Sequence, residues 1–196
     1  MPSIKFQLRK VIDKLSFFGP AHTTMSESFE KKNDFDSFVF LWKNSREKLP
    51  VYTDENISFS KYFGFGSSIE YVKGLIGKPK FHFNNQDANL NILVYIVDVH
   101  GHNVKFELHF YHKKLFSINY NYRYLGQDDR TAILESLREK YHVNRTDDLK
   151  DHVILDPYGN GIIIDERDSF TVNYVSPNSQ LSRIAEAYMM SKKFAV

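Results

Sequence analysis

The residues of this chain best suited to chemistry are four histidines, His100, His102, His109 and His112. A His-x-His pair can ligate zinc when a third histidine or a carboxylate converges on it. The strand alternation described below places His102 and His112 at opposite ends of one strand, because each strand residue advances the chain by about 3.3 Å. We therefore expect turn and surface histidines, and a metal site is not predicted.

Acid–base chemistry has one candidate pair, because Glu107 and His109 alternate onto the same face of that strand. Either side chain can act as a general base where a cleft brings a substrate within hydrogen-bond reach. The sequence has neither a Gly-x-Ser-x-Gly nor a His-Glu-x-x-His signature. It also has no cysteine, which excludes disulfides, thiolate metal ligands and a cysteine nucleophile. Catalytic residues and cofactors are therefore not predicted.

Two loops imitate ligand-binding motifs. Residues 63–68 lead into a helix N-terminus, where free N–H groups can hold a phosphate, but helix capping explains Ser67 without a ligand. Residues 156–167 place Asp, Asn and Gly at the spacing of a calcium loop. Tyr158 and Arg167 stand where that loop needs oxygen ligands, so a strand-connecting turn is the better interpretation.

Residues 92–124 predict a three-stranded antiparallel meander, whose two faces follow from side-chain alternation. Gly101-His102 suits a two-residue type II′ turn, and His112-Lys113-Lys114 is the predicted second loop. The apolar face of the second and third strands contains Val104, Phe106, Leu108, Phe110, Phe116, Ile118, Tyr120 and Tyr122. The predicted cross-strand pairs include Val99–Val104, Val97–Phe106, Asp98–Lys105, Phe110–Phe116 and Leu108–Ile118.

The opposite face of the meander mixes apolar and polar side chains. We expect this face to be exposed and to bind a partner. Its predicted contact residues are Ile92, Val94, Ile96, His109, Tyr111, Asn119, Asn121 and Arg123.

Apolar spacing and capping residues predict helices around the meander. They begin near residues 3, 34, 67, 128 and 179. In the third of them, Ser67 and Glu70 form a capping box and Gly77 marks the end. Further strands are predicted at residues 81–83, 152–155, 162–165 and 170–175, and a connector at residues 49–61.

One helix followed by several antiparallel strands thus occurs twice. We predict a single α+β domain over residues 1–196, with an antiparallel sheet that carries helices on one face. Residues 1–60 form a mainly helical N-terminal extension. Residues 61–126 are the first helix-plus-meander unit, and residues 127–196 are the second unit with a C-terminal helix.

Composition sets few limits on function. The 196 residues carry a formal charge of +2, so the composition does not indicate a basic surface that binds nucleic acid. Four basic residues interrupt the apolar positions of residues 1–18, and neither a signal peptide nor a membrane span is predicted. The absence of cysteine suits a cytoplasmic protein. The oligomeric state is left open.

Residues 66–72 (Gly-Ser-Ser-Ile-Glu-Tyr-Val) and 75–79 (Leu-Ile-Gly-Lys-Pro) resemble the helix opening of outer-membrane assembly lipoproteins of the SmpA/OmlA (BamE) type. The helix-then-meander order is similar to that of β-lactamase-inhibitor-protein-like modules. The resemblance implies protein binding through a sheet or loops rather than catalysis. The chain departs from the lipoprotein pattern because no signal peptide is predicted and the sequence has no cysteine to carry a lipid.

These observations predict a non-enzymatic cytoplasmic binding or adaptor protein whose partner is another protein. One alternative is an enzyme or small-ligand-binding protein with a pocket between the sheet and the helices, using Glu107 and His109. The other is an immunity-type protein inhibitor, which differs from an adaptor only in the identity of its partner.

Overall fold

The structure, a computed structural model, describes residues 47–99, 102–144, 148–167 and 169–177, and residues 39, 41, 43, 45, 183–186, 188 and 190. The residues before 47 and after 182 in this set are helical. The other elements are β1 (Leu49–Tyr52), α1 (Ile69–Ile76), β2 (Phe81–Asn85), β3 (Leu90–Val99), β4 (His102–Tyr111), β5 (Lys114–Tyr122), α2 (Gln127–Tyr141), β6 (His152–Leu155), β7 (Gly161–Asp165) and β8 (Phe170–Val175). Among the described residues, no helix has the length and apolar character needed to cross a membrane.

The eight strands of the described residues form one sheet in the order β1-β6-β7-β8-β5-β4-β3-β2. Strand β1 runs parallel to β6, and every other neighbouring pair is antiparallel. The prediction of helices combined with an antiparallel sheet is confirmed at this coarse level, but β1 pairs parallel to β6 and the sheet has more strands than the two predicted units contain. The prediction of a connector is wrong for Leu49–Tyr52, which form β1 inside the stretch assigned to a mainly helical extension.

The first core lies between one face of the sheet and helices α1 and α2. Helix α1 contributes Ile69, Val72 and Ile76, and helix α2 contributes Leu137 and Tyr141. The sheet side of this core contains Leu93, Tyr95, Val97, Val104, Phe106, Leu108, Phe110, Leu115, Ile118 and Tyr120. Most of these are residues that alternation assigned to the apolar face, and they position both helices.

A second core covers the opposite face, so the prediction of helices on one face only is wrong. Its sheet side includes Ile92, Val94 and Ile163, all buried. Helical residues at both ends of the described chain pack in the same cluster, namely Leu41, Ile184, Ala185 and Tyr188. Strands that are apolar on both faces must be covered on both, because an uncovered face would leave large side chains in water.

The β3–β4 register differs from the prediction by two residues. Val97 lies opposite Val104, and Asp98 lies opposite Asn103 rather than Lys105. The predicted pairs Val99–Val104, Val97–Phe106 and Asp98–Lys105 are therefore wrong. A shift of two leaves every side chain on its predicted face, because alternation has a period of two. Alternation alone does not distinguish these registers, and the observed one extends the ladder to Val99 and His102.

The β4–β5 hairpin contains a bulge that the alternation conceals. Leu108 lies opposite Ile118 as predicted, but Phe110 lies opposite Leu115 and not Phe116. Phe116 is the additional residue between two paired positions, and its ring packs in the second core. The loop accordingly shortens to His112-Lys113, which have φ angles of 46° and 61° as a type I′ turn requires.

Helix α1 begins one residue later than the capping-box prediction. Ser68 is the N-cap, and its Oγ accepts a hydrogen bond from the backbone N–H of Tyr71 at 3.2 Å. Ser67 Oγ instead accepts from the N–H of Gly64 at 3.2 Å, which closes the preceding turn. Gly77 ends the helix as predicted, with a φ of 92° that favours glycine.

Asp156 organises the turn between β6 and β7, which confirms the interpretation of this loop as a strand connection. Its carboxylate, buried in the fold, accepts hydrogen bonds from the backbone N–H groups of Tyr158, Asn160 and Ile57 at 2.8 to 3.0 Å. It also accepts from Asn160 Nδ2 at 2.9 Å. The bond to Ile57 links this turn to the segment that leads into α1.

Replacing Asp156 by alanine should lower the free energy of unfolding by about 2 to 4 kcal/mol, because the buried N–H of Ile57 and the part-buried donors of the turn lose a charged acceptor. Urea denaturation measures the change. Asp54→Ala is the control, since Asp54 is exposed, and it should change stability by less than about 0.5 kcal/mol. Equal effects of the two substitutions would contradict the assigned role of Asp156.

Two buried tyrosines of the first core differ in how their hydroxyls are satisfied. Tyr95 Oη donates a hydrogen bond to the carbonyl oxygen of Gly77 at 3.0 Å. Tyr120 Oη is buried with no hydrogen-bond partner among the described residues. Burial raises the pKa of both phenols, so both stay protonated at neutral pH.

Phenylalanine substitutions should separate these two hydroxyls. Tyr95→Phe should lower the free energy of unfolding by about 1 to 2 kcal/mol, because the Gly77 carbonyl loses its donor. Tyr120→Phe should leave stability unchanged or raise it by about 1 kcal/mol, because it removes an unsatisfied buried group. Both values come from urea denaturation, and a clear loss of stability in Tyr120→Phe would disprove the assignment.

Candidate functional site

The predicted binding face contains a band of polar side chains in the middle of the sheet. One cross-strand row passes from Val94 through Glu107, Asn119 and Asn173 to Ile163, so polar residues stand between apolar flanks. His109 and Ser117 are paired in the next row. We call Lys105, Glu107, His109, Ser117, Asn119 and Asn173 the central polar stripe.

Glu107 is the centre of the stripe and has partners on two strands. Lys105, two residues away on β4, forms an ion pair with Glu107 Oε1. His109 Nε2 lies 3.2 Å from Oε2 on the other side, and Asn119 Nδ2 lies 3.4 Å from the same oxygen. Alternation along β4 therefore brings three side chains together, and β5 supplies the fourth.

The charge state of Glu107 follows from this arrangement. Burial raises the pKa of the carboxyl group, but the hydrogen bond from His109 and the positive charge of Lys105 outweigh burial. The pKa is held well below its usual range, so Glu107 is ionised at neutral pH.

His109 is a buried partner of Glu107 rather than an exposed contact residue. Only 2% of its surface is accessible, and its ring meets the edge of Phe116 at a centroid distance of 6.2 Å. A proton on Nε2 is donated to Glu107, so that nitrogen cannot also accept a hydrogen bond from Asn119. The Asn119 amide carbonyl in turn accepts from Ser117 Oγ at 3.2 Å.

The structure does not present the eight predicted contact residues as one exposed surface. Ile92, Val94 and His109 are buried, and Arg123 is exposed beyond the end of β5. The half-buried remainder is Ile96, Tyr111, Asn119 and Asn121. The expectation of an open face is therefore wrong for its centre, because the second core covers the apolar flanks and the polar residues satisfy one another.

An open cleft of about 720 Å³ lies at the β1 side of the sheet. Charged residues that line the cleft form ion pairs with one another. Lys150 Nζ lies 2.6 Å from Glu166 Oε2, and Arg167 Nε lies 2.8 Å from Asp165 Oδ1. Partial burial lowers the pKa of Lys48, although neighbouring carboxylates oppose this shift. The remaining lining residues are Leu41, Glu47, Leu49, Asp151, Ile163 and Ile164.

A third feature is an exposed apolar surface on the outer side of α1, which alternation in the meander does not indicate. It contains Tyr62, Tyr71 and Leu75, which are 44%, 52% and 37% exposed. Tyr71 Oη donates to the carbonyl oxygen of Tyr62 at 3.1 Å, and Leu75 lies one helical turn beyond Tyr71. We call these three residues the tyrosine surface.

The backbone beneath the tyrosine surface is anchored by contacts to the first core and to the β4–β5 hairpin. Phe59 contacts Phe63 and Phe65 at ring-centroid distances of 5.6 and 5.2 Å, which anchors the segment that carries Tyr62. The start of α1 is joined to the β4–β5 hairpin by the bonds Gly66 N to Leu115 O at 2.8 Å and Ile69 N to Lys113 O at 3.1 Å. The surface is thus preorganised by the first core.

The sequence contains a signal for this surface that analysis of capping and core residues overlooks. Ile69, Val72 and Ile76 form the inner side of α1, while Tyr71 and Leu75 stand four residues apart on the outer side. A short helix that is apolar on its outer side as well has more apolar surface than one core contact can cover.

The chain matches no family model, no curated protein and no solved structure. The resemblance of residues 66–79 to BamE-type lipoproteins therefore stays a prediction. In the part of the chain that the structure describes, no group of three His, Asp or Glu side chains is placed to hold a metal ion. His102 lies 3.4 Å from Asp129 near α2, and His112 occupies the turn at the other end of β4.

Glu107→Gln should lower the free energy of unfolding by about 3 kcal/mol at pH 7, because Lys105 loses its buried counter-charge. The folded-state pKa of Glu107 lies below its unfolded value of 4.5. Its contribution is therefore complete above about pH 5 and is lost as the pH falls toward 2. Urea denaturation at several pH values should show the difference between wild type and variant shrinking below about pH 4.

Glu139→Gln is the control for this measurement, since Glu139 is exposed on α2 and should have little effect at any pH. A destabilisation of Glu107→Gln that is the same at pH 7 and pH 3 would show that ionisation of Glu107 does not stabilise the fold.

Proposed function

We propose that this chain is a non-enzymatic protein-binding or adaptor protein that contacts its partner through the tyrosine surface. The observation that carries the proposal is the exposure of Tyr62, Tyr71 and Leu75 on a segment that is anchored to the first core. Tyrosine is enriched in protein interfaces because its ring buries a large area at a small cost in conformational entropy. A preorganised surface also loses little freedom on binding.

The central polar stripe supports an enzymatic function less well than the tyrosine surface supports protein binding. A general base must reach the proton that it removes. His109 is buried, and its Nε2 is already hydrogen-bonded to a carboxylate whose other oxygen pairs with Lys105. These side chains satisfy one another, which is typical of a network that specifies packing.

The charged cleft gives weaker support to a small-ligand site. Two of its three cations are committed to carboxylates of the same cleft, Lys150 to Glu166 and Arg167 to Asp165. A ligand would have to displace these ion pairs or use the few remaining groups. The tyrosine surface requires no such rearrangement, since its apolar atoms already face solvent.

Tyr71→Gln combined with Leu75→Gln should abolish partner binding while leaving the fold intact. Both side chains are exposed, and glutamine is compatible with a helix. Truncation of a central aromatic contact typically weakens an interface by at least about tenfold. The full-length chain, wild type and variant, is immobilised and exposed to lysate of the native host, and bound proteins are quantified by mass spectrometry.

Tyr124→Gln combined with Tyr158→Gln is the matched control, because these tyrosines are 84% and 70% exposed and lie outside the surface. Proteins captured by wild type and by this control, and lost from the α1 variant, support the proposal. Equal capture by all three chains, with unfolding curves unchanged, would reject the tyrosine surface as the binding site.

A further inference from the structure

Lysines are concentrated in the segment that carries the tyrosine surface and in the hairpin bonded to the start of α1. Residues 57–80 contain four lysines, one carboxylate and no arginine. Lys61 is next to Tyr62, Lys73 lies on α1, and Lys78 follows its C-cap. The hairpin that bonds to the start of α1 adds Lys113 and Lys114, both exposed.

This concentration of lysine is a local property and not a reflection of overall composition. The whole chain has a formal charge of +2, whereas residues 57–80 together with Lys113 and Lys114 contain six lysines against one carboxylate, Glu70. The rest of the chain therefore has a net negative formal charge. A lysine-rich rim around exposed apolar side chains favours a partner of opposite charge.

We infer that the partner of the tyrosine surface is an acidic polypeptide segment that also carries large apolar side chains. The inference rests on the proposed function and adds the chemistry of the partner. Apolar side chains of the segment pack on Tyr71 and Leu75, and its carboxylates lie beside the lysines at both ends of α1. The contacts to lysine steer association and set the orientation of the segment.

Two features favour an acidic polypeptide over a nucleic acid. Single-stranded nucleic acids stack their bases on aromatic faces. The Lys61 ammonium lies 4.7 Å from the centroid of the Tyr62 ring and covers one face of that ring. Arginine, which recognises phosphate with two parallel hydrogen bonds, is absent from residues 57–80.

A second copy of this chain is also disfavoured as the occupant. A symmetric dimer places the same patch of both copies against each other. Such a contact would bring lysines against lysines, which is repulsive. A partner with carboxylates at these positions turns the same charges into an attraction.

Fluorescence anisotropy with three labelled probes tests the inference on the full chain. The probes are a 20-residue peptide of alternating glutamate and leucine pairs, the same peptide with glutamine for glutamate, and a 20-nucleotide oligothymidylate. The acidic peptide should bind at least about tenfold more tightly than either of the others at low salt, and its Kd should rise as salt screens the contacts.

Lys61→Gln combined with Lys78→Gln should weaken binding of the acidic peptide by about fivefold or more. The control removes the same charge elsewhere, through Lys43→Gln and Lys150→Gln, and should change Kd by less than about twofold. Tyr71→Gln with Leu75→Gln should abolish binding of this peptide. Sedimentation velocity of the chain alone reports whether copies associate through the surface.

The outcomes separate the inference from the proposed function. Four results would each overturn the inference of an acidic partner. Two concern the other probes: tight binding of the oligonucleotide, or equal binding of the glutamine peptide. The other two are absence of binding by the acidic peptide, and self-association that is lost in the Tyr71 and Leu75 variant. Capture of host proteins that depends on Tyr71 and Leu75 but not on Lys61 and Lys78 also overturns this inference, and leaves the proposed function standing. Capture of host proteins that does not depend on Tyr71 and Leu75 overturns both the inference and the proposed function.

Discussion

The pairing of β5 with β8 is the constraint on which the rest of this structure depends. It joins six residue pairs, from Ser117 with Val175 to Tyr122 with Phe170. Without it, β2–β5 and β6–β8 would be two separate meanders, each with an unpaired strand at its boundary. The pairing closes a long loop, whose entropic cost must be offset by the contacts that it creates. On the first face these include Tyr120 with Tyr174 and Tyr122 with Phe170, both at centroid distances of 5.9 Å.

On the second face, the same pairing completes the central polar stripe. Asn173 of β8 comes opposite Asn119 of β5, and its side chain donates to the backbone carbonyl of Ile163 at 3.1 Å. A slip of one residue in this part of the sheet would turn Glu107 or Asn119 into the first core, where neither has a polar partner. Buried polar groups without partners are costly, so the stripe acts together with the apolar residues against a one-residue slip.

The sequence predicts best the elements whose signals are local. The position of α2, the stop at Gly77 and the pair Leu108–Ile118 follow from helical spacing, glycine and alternation, and the structure confirms them. It predicts poorly what depends on partners distant in sequence. Two β3–β4 registers of the same parity satisfy alternation equally, and the bulge at Phe116 resembles an ordinary alternating position until its partner strand is known.

Side-chain alternation indicates least well whether a face of the sheet is exposed or covered. The polar side chains of Lys105, Glu107 and His109 alternate with apolar ones, as they would on a solvated strand. In the structure, however, Glu107 forms an ion pair with Lys105 and a hydrogen bond with His109, and all three side chains are shielded from solvent. The sequence does contain a distinguishing feature. Ile92 and Val94 flank this row on β3, and an apolar flank next to a self-neutralising polar centre favours burial.

The opposite condition applies at α1. There the charges are nearly all of one sign. Among the described residues, no ion pair includes Lys61, Lys78 or Lys113, whereas Glu107 neutralises Lys105. A group of like charges is more stable apart than together unless counter-charge is supplied from outside. The tyrosine surface places apolar area at the centre of such a group. Internal neutralisation of charge therefore distinguishes the central polar stripe, which is satisfied within the fold, from the tyrosine surface, for which we propose a partner of opposite charge.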